Sequence, residues 1–139
     1  MSDAPQQPGP GTEQSGPRGE MIIRVVAMPA DTNPAGDIFG GWIMGMMDLA
    51  AGSAGTSFAR GRVVTAAVSN LSFLQPVKVG DNVCVYAHLD RTGRTSLTIG
   101  IEVWVVRPAI DAPRVRVTEA KFVMVAVDKE GRPRQLQPT

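Results

Sequence analysis

Gly40-Gly41-Trp42-Ile43-Met44-Gly45-Met46-Met47-Asp48-Leu49-Ala50-Ala51-Gly52-Ser53-Ala54-Gly55 is a run of apolar and small residues broken by a single carboxylate, the only acidic residue between Asp37 and Asp81. From about Gly40 to Arg60 the pattern predicts one helix, about 30 Å long at roughly 1.5 Å per residue and able to cross a small domain. Its glycines are poor helix formers, so packing rather than propensity has to hold it. A helix apolar on all sides is expected to be buried. Burying an unpaired carboxylate costs on the order of several kcal/mol or pushes its pKa up, so Asp48 needs a use, and catalysis is the one it suits.

On the N-terminal side, Met21-Ile22-Ile23-Arg24-Val25-Val26-Ala27-Met28 is a β-branched run ended by Pro29 and predicts a first strand. Asn33-Pro34-Ala35-Gly36 has the residue preferences of a type I turn. Residues 1–19 are rich in Pro, Gly, Gln and Ser with no apolar face, which predicts a disordered tail ahead of a single domain over 20–139. Beyond Arg62 the period changes from that of a helix to two. A strand is predicted over Val63–Phe73, before Pro76. Val83, Val85, Ala87 and Leu89 define a second alternation, and Leu97, Ile99, Ile101, Val103 and Val105 a third. Val115, Val117, Val123, Val125 and Val127 share one parity of a last long strand that Glu119 and Lys121 interrupt. Short turns at Val79-Gly80-Asp81 and Arg91-Thr92-Gly93-Arg94 favour antiparallel neighbours. One antiparallel sheet of about five strands curled round one long helix is the economical α+β solution, and its exposed edges invite a second copy.

Composition narrows the function classes. With 139 residues, 43% hydrophobic and 19% charged, the chain holds one domain. A formal net charge of +1 with scattered Lys and Arg carries no footprint of nucleic-acid or membrane binding. One cysteine, Cys84, excludes an internal disulfide and suits a reducing compartment, so a cytoplasmic location is expected. The N-terminal residues have no signal-peptide pattern, no apolar run is long enough to span a bilayer, and no Cys/His cluster suggests a metal.

Asn33-Pro34-Ala35-Gly36-Asp37-Ile38-Phe39-Gly40-Gly41, the helix through Asp48, Gly61-Arg62-Val63-Val64-Thr65, Phe73-Leu74-Gln75-Pro76-Val77-Lys78-Val79-Gly80-Asp81 and Glu102-Val103-Trp104-Val105 follow one another in an order that resembles the acyl-CoA thioester hydrolases of the hotdog fold, closest to their broad-specificity bacterial branch. The resemblance covers about residues 20 to 138. It implies a long central helix wrapped by a curved sheet, hydrolysis of acyl-CoA to a carboxylic acid and CoA, no cofactor beyond the CoA of the substrate, and a homodimer that in relatives often builds a trimer of dimers. It also implies that Gly40 donates a backbone N–H to the thioester oxygen and that Asp48 is general base or nucleophile. A helix N-terminus suits an oxygen that gains charge as a tetrahedral intermediate forms. Asn33 stands where relatives place a polar group near the carbonyl or water, although it equally starts the turn. Thr65 stands near a hydroxyl that orients water. Asp37 reads better as a helix cap than as a catalyst. The family's histidine before Gly-Gly is Phe39 here, which argues against dehydratases of the same fold, and His88 reads as a strand residue.

Eight residues of helix put Gly40 and Asp48 about 12 Å apart, too far for both to contact one carbonyl, so the expected site is composite, with Gly40 from one subunit facing Asp48 from another. CoA phosphates call for Arg or Lys with backbone N–H groups. Arg91, Gly93, Arg94, Thr95 and Ser96 in one hairpin, with Arg62, are the candidates. Met44, Met46 and Met47 read as core, with a second possibility as flexible lining of an acyl tunnel. The alternative from another class is a non-catalytic hotdog module that binds acyl-CoA as a sensor.

Overall fold

The structure is a computed structural model that describes residues 16–136; most of the predicted tail lies outside the described residues. Its elements run β1 (Glu20–Val26), a short 3-10 turn (Pro29–Asp31), α1 (Gly40–Ala59), β2 (Val63–Phe73), β3 (Asn82–Thr92), β4 (Ser96–Val106) and β5 (Arg114–Ala126). The five strands form one antiparallel sheet in the order β1-β3-β4-β5-β2. The chain thus lays β1 on one edge, and α1 intervenes in sequence before β2 on the other edge. An edge-to-edge span of four strand spacings is about 19 Å, well within the reach of a helix of about 30 Å.

Ile43, Met47, Ala50, Ala51, Ala54, Gly55 and Ala59 form the buried stripe of α1. They pack on Val83, Val85, Leu97, Ile99, Ile101, Val103, Phe122 and Met124 of the sheet. A fully buried side chain of Met47's size contributes about 1.5–3 kcal/mol, so this contact rather than helix propensity holds α1. Gly55 shows why small residues recur there: a Cβ would lie 3.1 Å from Val63 and 3.4 Å from Ile99.

Two expectations need correction. The helix is not buried on all sides: Gly41, Met44, Gly45, Asp48, Leu49, Ser53 and Thr56 are exposed on the face turned away from the sheet. Gly41, Gly45, Asp48, Ser53 and Thr56 make that face largely small or polar, while Met44 and Leu49 leave two large apolar side chains on it in the single chain. The valine parity of β5 also breaks. A bulge where β4 meets β5 between Val103 and Trp104 resets the register. Val117 is fully buried, while farther along Phe122, Met124 and Ala126 are buried and Val123 and Val125 are half-buried on the other side.

The C-terminal end of α1 is closed from a distance in sequence. Arg60 takes the left-handed conformation at φ 56° and its N–H donates to the Thr56 carbonyl. The Arg134 guanidinium donates to the Ala59 carbonyl at 2.8 Å, placing a cation at the negative end of the helix dipole. Gly61 makes room for it, since a Cβ there would lie 2.7 Å from that guanidinium.

Candidate active site

Thr65 sits near the start of β2, beside the middle of α1, and its Oγ1 donates to Asp48 Oδ1 at 2.6 Å. Asp48 is exposed, not desolvated, in the single chain, so its expected burial is corrected. Its second oxygen has no partner among the described residues. Asp48 and Thr65 line an open groove of about 580 Å³ with Ile22, Leu49, Ser53 and Thr56, a mostly apolar trough with one carboxylate on its wall. No histidine, lysine or cysteine lines it; its polar side chains are the Ser53, Thr56 and Thr65 hydroxyls and the Asp48 carboxylate, the one group there able to take a proton near neutral pH.

The helix N-terminus lies about two turns away along α1. Phe39 is the residue before the first turn, at φ −54° and ψ 132°, and no side chain caps the helix. The Gly40 and Gly41 N–H groups donate to no acceptor among the described residues. Asp37 is not the cap: it pairs with Lys78, which ties the loop before α1 to the loop after β2. Asn33 Oδ1 accepts from the Ala35 N–H at 3.0 Å and the Asp37 N–H at 3.1 Å, and Asn33 N–H donates to the Asp37 carbonyl at 2.7 Å. Its carbonyl oxygen is occupied in holding the turn, and only its amide NH2 is left to face a substrate.

Phe73, at the end of β2, was not singled out by sequence reading. Its ring tip points at Gly40: Cζ, Cε1 and Cε2 lie 3.3, 3.7 and 3.8 Å from where a Cβ on Gly40 would stand. Thirty-three residues separate the two, and only the curl of the sheet joins them, so no local signal could have shown it. The groove residues from β1, Ile22 and Ile23, were equally hidden.

The basic hairpin lies at the C-terminal end of α1. Gly93 N–H donates to the Ser96 carbonyl at 2.8 Å, Ala126 N–H to the Thr95 carbonyl at 2.9 Å and Leu136 N–H to the Arg94 carbonyl at 2.9 Å. Val127 N–H donates to the Arg62 carbonyl at 3.0 Å, which brings Arg62 to the same end. Arg62, Arg91 and Arg94 are all exposed there, with no carboxylate within ion-pair distance among the described residues. His88 stands apart, on the outer sheet face over Gly100, where burial first and then Arg18 hold its pKa below the usual value. No group of three or more potential metal ligands occurs among the described residues. No helix among the described residues is long and apolar enough to cross a membrane.

Thr65→Val keeps shape and removes the hydroxyl. Loss of the hydrogen bond that orients the carboxylate is expected to lower the rate of any reaction Asp48 assists by roughly tenfold or more, with little change in melting temperature because both residues are exposed in the single chain. An unaltered rate would mean that the bond does not orient Asp48 for chemistry.

Residues 35–109 match the thioesterase superfamily model. The chain is 50% identical over 127 residues to the acyl-CoA thioester hydrolase YciA of Escherichia coli, covering 90% of this chain and 96% of that one. Its fold is similar to the hexameric thioesterase from Yersinia pestis, with a TM-score of 0.82 and 51% identity over 88% of this chain and 99% of that one. A hexameric broad-specificity acyl-coenzyme A thioesterase superposes with a TM-score of 0.82 at 45% identity, over 91% of this chain and 85% of its own. With the family model spanning more than half the chain and a relative at half identity over nearly all of it, this chain belongs to the thioesterase superfamily, the hotdog fold that its wrapped helix displays.

Proposed function

We propose that the chain hydrolyses acyl-CoA thioesters to a carboxylic acid and CoA, at a site shared between two protomers. The observation that carries this reading is the Asp48–Thr65 pair in an apolar groove, while the free N–H groups that could hold an oxyanion lie about 12 Å away on the same helix. Water adds to the thioester carbon as Asp48 takes its proton, and the oxyanion is held by the Gly40 N–H. The tetrahedral intermediate then expels the CoA thiolate, which collects the proton from Asp48. Direct attack by Asp48, giving an anhydride that water opens, uses the same groups.

The edge strand β2 supports the shared site. Of its eleven residues only Val63 and Leu71 are even half-buried, and Val64, Val68 and Phe73 are exposed apolar side chains on an unpaired edge. A long apolar edge of this kind is a pairing surface. Thr65 touches Asp48 and the Phe73 ring tip faces Gly40, so β2 carries both halves of the site eight residues apart. If two copies pair antiparallel about a two-fold axis at Ser69, Thr65 comes opposite Phe73 of the partner subunit, and Asp48 comes beside the partner's Gly40. The relatives described above as hexameric support three such dimers in one assembly.

We assign the hairpin of Arg91, Gly93, Arg94, Thr95 and Ser96, with Arg62, to the CoA phosphates, on the exposure of its three arginines beside one another at the C-terminal end of α1; the Gly93 N–H, held by the Ser96 carbonyl, shapes the turn. Asn33 is assigned to the substrate through its free amide. No cofactor beyond the substrate's own CoA is needed, and no nucleic-acid or membrane partner is assigned. A buried, free Cys84 supports the cytoplasm as its compartment.

The test is thiol release from short-, medium- and long-chain acyl-CoAs by the purified protein. Turnover is expected across the panel. Tight acyl-CoA binding without release of thiol would replace this reading with that of a sensor.

A further inference from the structure

We infer that Phe73 is a specificity-determining residue: its ring walls the thioester site beside the oxyanion donor and limits branching at the acyl carbon next to the carbonyl. This rests on the hydrolase reading above and adds to it a residue and a substrate preference.

Three observations meet at this side chain. The ring tip lies 3.3–3.8 Å from the place of a Cβ on Gly40, so it covers the first residue of α1, whose N–H is free. Phe73 is nonetheless 49% exposed in the single chain, so the ring has one face against Gly40 and the other open. Its backbone is anchored: Phe73 pairs with Thr118 of β5, and the next residue, Leu74, donates its N–H to the Val117 carbonyl at 2.7 Å. An aromatic ring on an anchored backbone, with few rotamers available to it, is a rigid wall rather than a loose flap.

The position of that wall sets what it discriminates. A thioester whose oxygen accepts from the Gly40 N–H holds its carbonyl carbon about 4 Å from that nitrogen, within contact distance of the ring. The two substituents of that carbon are sulfur and the acyl α-carbon. With the sulfur directed toward the arginines assigned above to CoA, Arg62 and Arg94 at the C-terminal end of a helix, the α-carbon is the substituent left to face Phe73. A methylene there fits beside the ring edge, whereas an α-methyl or an aryl group adds volume that the ring occupies. Pairing about Ser69 places the same ring next to Thr65 of the partner subunit, so Phe73 also fills the gap between the two halves of the composite site. Gly40 therefore lacks a side chain for two reasons: the carbonyl approaches from one direction and the ring from another.

The test compares kcat/KM for butyryl-CoA, isobutyryl-CoA and benzoyl-CoA in the wild type, Phe73→Ala and Phe73→Leu, with oligomeric state measured for each. Removing the ring is expected to raise the ratio of branched or aryl to straight-chain substrate by roughly tenfold or more, the discrimination that one or two methyl-sized groups command in an apolar pocket. Phe73→Leu keeps an apolar seam and is expected to fall between. The gain should appear mainly in KM for the bulky substrates, whereas a side chain that only held the dimer together would lower kcat for all three alike. An unchanged ratio in an intact dimer of either variant overturns the inference while leaving hydrolysis standing. Absence of thiol release in the wild type removes the hydrolase reading, and this one with it.

Discussion

Asp48→Asn is expected to give a folded protein that binds CoA as the wild type does and releases thiol roughly 10²–10⁴-fold more slowly, the range general-base catalysis supplies. Asparagine is isosteric and its oxygen still accepts the Thr65 hydroxyl, so the 2.6 Å contact has no reason to break. Asp48 is exposed in the single chain, and a substitution at such a position changes stability by about 0.5 kcal/mol or less. The loss would then be one of chemistry. Thermal melting and CoA binding beside the rate measurement separate the cases. Equal turnover in both proteins would place the catalytic group elsewhere.

Gly40→Pro should be nearly as damaging, with the opposite half of the site at fault. Gly40 is the first residue of α1, where proline is tolerated because the N–H has no partner within the helix. Phe39, at φ −54° and ψ 132°, already has the extended conformation that a following proline requires. The substitution keeps the helix start, replaces the N–H by a Cδ that stands where the substrate oxygen would accept, and asks the Phe73 ring tip to yield by a few tenths of an ångström. Loss of one oxyanion donor is expected to cost about 10²–10³ in kcat. Mixing the two inactive variants is the sharper experiment. If each site takes Asp48 from one subunit and Gly40 from another, random exchange leaves half the dimers with one intact site, and about a quarter of wild-type activity returns. A site built within one chain would give no recovery at all.

The long-range periodic elements were legible in the residues. α1 and β2 begin where the shift from helical to alternating spacing places them, because a period of many residues integrates many weak preferences. Asn33 as a turn former was legible too, since its partners are two and four residues away. What failed depended on tertiary geometry. The valines of β5 predict one face, and a bulge set by the neighbouring strand divides them. The uniform apolarity of α1 predicts burial on every side, but the sheet meets the helix along one stripe only, and Asp48 lies on the opposite, exposed face with Met44 and Leu49. Asp37 looked like a cap and is drawn off by Lys78, forty-one residues on. Phe73 meets Gly40 through the curvature of the whole sheet, which no window of sequence contains.

The exposed edge of β2 also says something about the life of the chain before it becomes an enzyme. If the site is shared as proposed, a newly made copy carries an eleven-residue strand with an open hydrogen-bonding edge and no complete catalytic centre of its own. Its rate of becoming active is then second order in concentration, and dilution should extinguish activity more steeply than it removes protein. The same strand that completes the site is the one most able to pair with a stranger. A substitution that weakens its self-recognition would thus be felt twice, as slower maturation and as greater loss to aggregates.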